Sequence, residues 1–226
     1  MTFNNNRIYF VLLILTGVIL SCNFVNILYA QPLSPSAPFG GMNISSVEGV
    51  REISGHYSNS TYGIADIMIP DGWVGQESLY RPVQYIMYID KPWTPGTEVI
   101  VKPLFYLSVI NNSEFSKMMT PLLEAGNLSK QGEPEKSPSE IENLIYSIDP
   151  SCKVQTSSSV INGKTFDVIL RQCEDSIGKS YSYDNGQKTY VLTMASVGVS
   201  HGENFVDLFN QYLPILEETA KTLKII

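Results

Sequence analysis

Two rhythms of apolar residues run along the chain, a period of two that predicts strands and a period near 3.6 that predicts helices. Strand-like runs fall at 55–57, 62–69 and 83–89 and across 98–110. They are separated by a turn around 58–61, the stop signal Pro70-Asp71-Gly72 and a Pro/Gly loop at 90–96. Trp73, just past the stop, is expected to anchor the core, and Pro103 marks its run as an edge strand or a bulged one. In 113–125 the spacing turns helical, with Phe115, Met118, Met119, Leu122 and Leu123 on one face, Ser113 as the expected N-cap, and Gly126 as the stop. Pro121 is expected to kink or restart that helix. Ser137-Pro138-Ser139-Glu140 forms a capping box, opening a short helix whose buried face is Ile141, Leu144, Ile145 and Ile148. The stretch 203–223 shows a last apolar stripe: Phe205, Leu208, Phe209 and Tyr212 before Pro214, then Ile215, Leu216, Thr219, Ala220 and Leu223. Pro214 is expected to restart this helix.

Between these helices lie two Asn-Gly pairs, Asn162-Gly163 and Asn185-Gly186, which predict hairpins in an antiparallel meander. If Asn162-Gly163 is a two-residue turn, Ile161 faces Lys164, and counting outward sets Cys152 opposite Cys173. A non-hydrogen-bonded pair brings Cα atoms to about 4.5 Å, within disulfide range, so these two cysteines are expected to be bonded. Disulfides persist in oxidising compartments, which points to an exported protein.

The N-terminus agrees with export. Positions 1–7 carry one base and no acid, and 8–20 is an apolar run of signal-peptide length, with Leu28-Tyr29-Ala30 as the expected cleavage site. Two other readings stay open, an uncleaved anchor reaching Tyr29 and a lipoprotein box at Ile19-Leu20-Ser21-Cys22. Positions 31–53 have the Pro/Gly/Ser composition of a flexible linker, and 54–226 has the length of a single domain without internal repeats.

Charge narrows the partners. The chain holds 15 basic and 22 acidic residues, and the signal segment removes one of the bases, so nucleic acid is an unlikely target. No basic amphipathic helix offers docking to anionic lipid, which leaves the N-terminal segment as the route to a membrane. Four N-x-S/T sequons, at Asn43, Asn59, Asn111 and Asn127, suit a glycoprotein.

Tyr62-Gly63-Ile64 leads through a strand to Ile69-Pro70-Asp71-Gly72-Trp73, followed by the Asn162-Gly163-Lys164 hairpin. Tyr212-Leu213-Pro214 then opens a last helix that ends at Lys221-Thr222-Leu223-Lys224-Ile225. In that order these motifs resemble the PsbP/Mog1-like superfamily, in particular its exported members, over about 55–226. The resemblance implies an α+β fold, an antiparallel sheet with helices on both faces in an α/β/α sandwich. It implies no reaction, since the superfamily mostly holds accessory and assembly proteins such as photosystem extrinsic subunits and a nuclear-transport cofactor. The Cys152/Cys173 pair is not a feature that the resemblance supplies.

Catalytic sets are scarce. The two histidines are His56 and His201, and no G-x-S-x-G elbow, P-loop or G-x-G-x-x-G accompanies them. With both cysteines of the domain in a disulfide, the usual zinc ligand sets are gone. An oxygen-ligand cation site built from Asp66, Asp71, Glu77 and Asp90 at one sheet end is the candidate metal centre, opposed by the simpler reading of solvated acidic faces. Trp93, in Lys91-Pro92-Trp93-Thr94-Pro95-Gly96, is the candidate partner contact, because a loop aromatic beside prolines suits a protein surface. The expectation is an exported, non-catalytic accessory protein that binds a protein partner at a membrane or cell surface and holds no cofactor. The alternative is an extracytoplasmic small-ligand or divalent-cation binding protein.

Overall fold

Positions 188–197 carry residues that avoid water on both faces: Tyr190, Leu192 and Met194 on one, Thr189, Thr193, Ala195 and Val197 on the other. A strand of that kind belongs in the middle of a sheet. The structure, a computed structural model, describes residues 52–80, 83–89, 103–125, 140, 152–198 and 204–226. In chain order the elements are β1 (Glu52–Ile53), β2 (His56–Asn59), β3 (Ile64–Met68), β4 (Val74–Tyr80), β5 (Val83–Ile89) and β6 (Leu104–Asn111). Then come α1 (Asn112–Ala125), β7 (Lys153–Ile161), β8 (Lys164–Gln172), β9 (Ser176–Asp184), β10 (Lys188–Val197), α2 (Phe205–Thr222) and β11 (Lys224–Ile225). The helix expected after Ser137 lies outside the described residues, apart from Glu140, which is helical.

Among the described residues all pairings are antiparallel and fall into two sheets, one of eight strands in the order β1-β4-β5-β6-β10-β9-β8-β7 and one of three in the order β11-β3-β2. The register of β10 sets Leu192 opposite Leu107 on one side and Tyr181 on the other, and Tyr181 in turn lies opposite Val168. That row, with Phe105, Phe166, Tyr190 and Met194, makes one apolar face. Phe209, Leu216 and Ala220 of α2 pack onto it, joined by Ile64, Ile67 and Ile225 of the small sheet. Most of the 3.6-residue stripe of α2 is therefore buried, with Leu208 left half-exposed at its margin. Trp73 anchors this core, edge-on to Phe105 at 5.6 Å and to Tyr212 at 6.0 Å. Sheets and helices segregated in this way define an α+β fold.

Several local expectations are corrected. Pro103 does not sit in an edge strand: it precedes the first residue of β6, which pairs with β5 and β10, so its missing N–H removes no ladder bond. The cap of α1 lies two residues early, because Asn111 ends β6 opposite Lys188 and its Oδ1 accepts the Glu114 N–H at 3.1 Å, taking the capping role expected of Ser113. Pro121 and Pro214 interrupt neither helix. Both prolines are exposed, so the carbonyl each leaves unbonded one turn earlier can turn to water. The second hairpin turns at Gly186-Gln187 rather than at Asn185-Gly186, with Asp184 opposite Thr189. Asn185 Oδ1 accepts from the N–H groups of Gln187 and Lys188, at 3.0 and 2.8 Å, which moves the turn by one residue.

The first hairpin follows its predicted register through nine continuous pairs from Ile161/Lys164 to Lys153/Gln172. Asn162 and Gly163 both have positive φ, 49° and 78°, the two-residue turn that matches strand twist. Its tip also ties down α2, because Asn162 Nδ2 donates to Lys221 O at 3.1 Å and to Leu223 O at 2.9 Å, at the helix end where carbonyls lack partners. Asn162→Gly keeps the backbone freedom and loses only these bonds, so it is expected to cost about 1 kcal/mol. Asn162→Ala adds left-handed strain and should cost about 2 kcal/mol. Urea unfolding of the two variants checks the order.

Candidate partner-binding edge

β7 differs from every other strand of the large sheet whose side chains are described. Its sequence, KVQTSSSVI, offers no apolar face at either parity, and only its last residue, Ile161, is buried. Val160 is 72% exposed and Val154 38%, and these two are among the few large apolar residues exposed anywhere in the described chain. β7 ends the sheet, and among the described residues no strand pairs with its outer edge. Natural edges are usually blunted by proline, inward charge or a bulge. β7 has no proline, a single charge at its first residue, and an unbroken register with β8.

Both ends of this edge are fixed. The Asn162 turn holds one end against α2. At the other end, the sulfurs of Cys152 and Cys173 stand 2.11 Å apart with Cα atoms at 4.1 Å, and Arg171 Nη2 donates to Cys152 Sγ at 3.0 Å. The Cys173 N–H also donates to Ser176 O at 2.8 Å, so the cystine sits where β8 turns into β9.

Of the acidic candidates, Asp66 is already engaged by basic side chains. Asp66, in β3 of the small sheet, accepts from His56 Nδ1 at 2.9 Å and from Lys224 Nζ at 3.1 Å, so both its oxygens already face basic side chains. The His56 bond first, and Lys224 after it, outweigh partial burial and hold its carboxyl below the usual carboxylate range. A depressed carboxyl pKa contributes stability that is present above the unfolded value near 3.8 and is lost as pH falls through the folded one. Asp66→Asn is accordingly expected to lower the melting temperature slightly at pH 7, by an amount that shrinks as pH falls through the depressed value of the folded state. Asp71 lies exposed in the turn before Trp73. Glu77 sits in β4 opposite Ile86, in the other sheet from Asp66. Among the described residues no three His, Cys, Asp or Glu side chains gather as a metal site.

Of the sequons, Asn59 spends its side chain on a turn: Oδ1 accepts from the Thr61 and Tyr62 N–H groups at 3.1 and 3.3 Å, and Nδ2 donates to Tyr57 Oη at 3.0 Å. Asn111 caps α1 as noted above. Asn43, Asn127, Asp90, Trp93 and His201 lie outside the described residues. Among the described residues no helix is long and apolar enough to cross a membrane.

Lys179, in β9, reaches across to α2 and donates to Glu217 Oε1 at 2.7 Å. Burial alone would lower its pKa, yet the bonds to Glu217 and Tyr181 raise it above the usual lysine value. That pair is a structural bridge between helix and sheet, on the face opposite to where Val154 and Val160 point.

Sequence reading did not single out β7 as a surface, although the signal was present: nine strand residues in which neither alternate set is apolar. It also missed the His56–Asp66–Lys224 cluster, which joins residues up to 158 positions apart.

No family model matches the chain, and no curated protein sequence matches it either. Among solved structures, the chain is similar to the solution structure of cyanobacterial PsbP (CyanoP) from Synechocystis sp. PCC 6803, at 10% identity and a TM-score of 0.41, over 84% of this chain and 100% of that one.

Proposed function

We propose that this chain is an exported, non-catalytic accessory protein that binds a polypeptide at the outer side of a membrane or cell surface. One observation carries the reading: β7 presents both faces to water and is fixed at both ends, and among the described residues no strand pairs with its outer edge, the form in which a sheet accepts another strand. Main-chain hydrogen bonds supply affinity in that mode, and exposed side chains such as Val154 and Val160 supply selectivity. Export is supported by the apolar N-terminal run and by the cysteine pair at bonding distance. The non-catalytic reading rests on the sequence, in which no G-x-S-x-G elbow, P-loop or G-x-G-x-x-G accompanies the two histidines. We also read the fold as a full sandwich, with α1 and the chain around it covering the sheet face away from α2. Phe115, Met119 and Leu123 of α1, buried on one side of that helix, support this. Trp93, in the 90–96 loop, is a second proposed contact.

The test is a photoreactive residue at Ser158, in the full chain expressed with its N-terminal segment in its source cells. Cross-links to a polypeptide, identified by mass spectrometry together with the mature N-terminus, are expected. Folded, exported protein that yields no cross-link would sink the edge-binding reading. A chain retained inside the cell with its first 30 residues intact would sink export.

A further inference from the structure

Taking the edge-binding reading as its basis, we infer that the polypeptide that β7 accepts is a second copy of β7, paired antiparallel about a two-fold axis through Ser157. The hairpin decides which backbone groups are on offer. Ile161 and Lys164 close a two-residue turn as a hydrogen-bonded pair, and antiparallel ladders alternate such pairs with non-bonded ones. Residues 153, 155, 157, 159 and 161 therefore spend their N–H and C=O groups on β8, whereas Val154, Thr156, Ser158 and Val160 aim theirs outward.

Two copies related through Ser157 set Val154 opposite Val160 of the partner subunit, and Thr156 opposite Ser158 of the partner subunit. Outward-facing residues meet outward-facing residues throughout, so every exposed main-chain group from 154 to 160 gains a partner. A one-residue slip would bring outward groups against groups already used by β8, and a two-residue slip would leave one outward residue on each strand unpaired. The side chains agree with the backbone. Val154 and Val160, the exposed large apolar residues of the strand, are both three residues from Ser157 and project from the same face, so the two-fold covers each valine with the other. Small hydroxyl residues fill the space between. Charge does not oppose the pairing: Lys153, the one ionic side chain of β7, falls opposite Ile161 of the partner subunit at the end of the ladder rather than opposite its own copy. The cystine and the Asn162 turn hold the edge straight before association, which lowers the ordering cost of pairing. The product is one continuous sheet, with the α2 layers of both copies on the same side.

Sedimentation of the full chain over a wide concentration range is expected to show a monomer–dimer equilibrium. Ser158→Pro removes an outward N–H that β8 does not use, and it should weaken the dimer at least about tenfold while leaving circular dichroism unchanged. Because every variant keeps the same N-terminal segment, association through the apolar run at 8–20 would be common to all and would not follow β7. Ser157→Cys puts two thiols on the axis at a non-hydrogen-bonded pair, with Cα atoms about 4.5 Å apart, so mild oxidation should give a covalent dimer. Gln155→Cys faces Ser159 of the partner subunit and should stay monomeric on a non-reducing gel. A monomer at all concentrations, a dimer indifferent to Ser158→Pro, or equal cross-linking at 155 and 157 would each overturn the pairing. Photo-cross-links from Ser158 to a different polypeptide would overturn the self-pairing and leave the proposed function standing. Their absence altogether would remove both.

Discussion

Gly63→Ala is expected to destabilise the protein by about 2–5 kcal/mol. Two costs combine. Gly63 has φ of 79°, in the left-handed region, where a side chain costs roughly 1–2 kcal/mol. A Cβ there would also collide with the Tyr190 hydroxyl, and Tyr190 is among the most deeply buried side chains of the core. That hydroxyl has little room to retreat, because it donates to Tyr62 O at 3.0 Å, and Gly63 O accepts the Ile226 N–H at 2.9 Å, pinning the turn from its other side. Burial, with Tyr183 nearby, raises the phenol pKa, so it remains a donor across the neutral range. Overpacking of this kind costs roughly 1–3 kcal/mol. The diagnostic is a double-mutant cycle with Tyr190→Phe. Without the hydroxyl the next ring atom stands 3.5 Å from the added methyl, an ordinary contact, so the steric part should be recovered and the backbone part retained. Chemical denaturation of all four proteins gives the coupling, and additive effects would mean that the two residues do not meet as placed.

That close approach shows where sequence reading stopped. Tyr62-Gly63-Ile64 was legible as a motif at a strand entry, but nothing in its neighbourhood says that the residue above Gly63 comes from position 190. Periodicity reports which side of an element is apolar, not what covers it. Elements with strong internal signals were therefore read to within a residue or two. β5 occupies the expected 83–89, the β7–β8 register follows from a two-residue turn, and α2 buries Phe209, Leu216, Thr219 and Ala220 of its stripe, while Leu208 stays half-exposed. Features decided between elements were not read. The division into two sheets, the His56–Asp66–Lys224 cluster and the Asn162 cap on α2 all depend on contacts across 59 or more residues, apart from the His56–Asp66 bond. Pro121 and Pro214 restart neither helix, because both are exposed and the carbonyl each leaves unbonded can turn to water. The candidate edge is an intermediate case: β7 was legible as a strand, while its meaning as a surface needed the strand order, which places it last in the sheet.

Replacing Cys152 and Cys173 together by serine is expected to cost about 2–4 kcal/mol, read as a lower urea midpoint with an increased slope. The cystine closes a loop whose ends are 21 positions apart, and most of its effect comes from restricting the unfolded chain. A second part is local. Among the described residues β7 pairs with β8 alone, and its side chains before Ile161 are largely exposed, so the ladder from Lys153/Gln172 inward depends on that covalent end more than an interior strand would. Hydrogen exchange should accelerate first at 153–157, while β10 and α2 keep their protection until global unfolding. The oxygen introduced by Cys152→Ser can still accept from Arg171, so the double variant isolates the cross-link from the contact. A reducing agent added to the unsubstituted protein should reproduce the loss, and the double variant should not respond to it. An unchanged midpoint in both experiments would mean that the two cysteines are not bonded, and the compartment inferred from them would lose its support. If instead stability falls and dimer formation falls with it, the cystine is the element that keeps the outward groups of β7 aligned for a second strand.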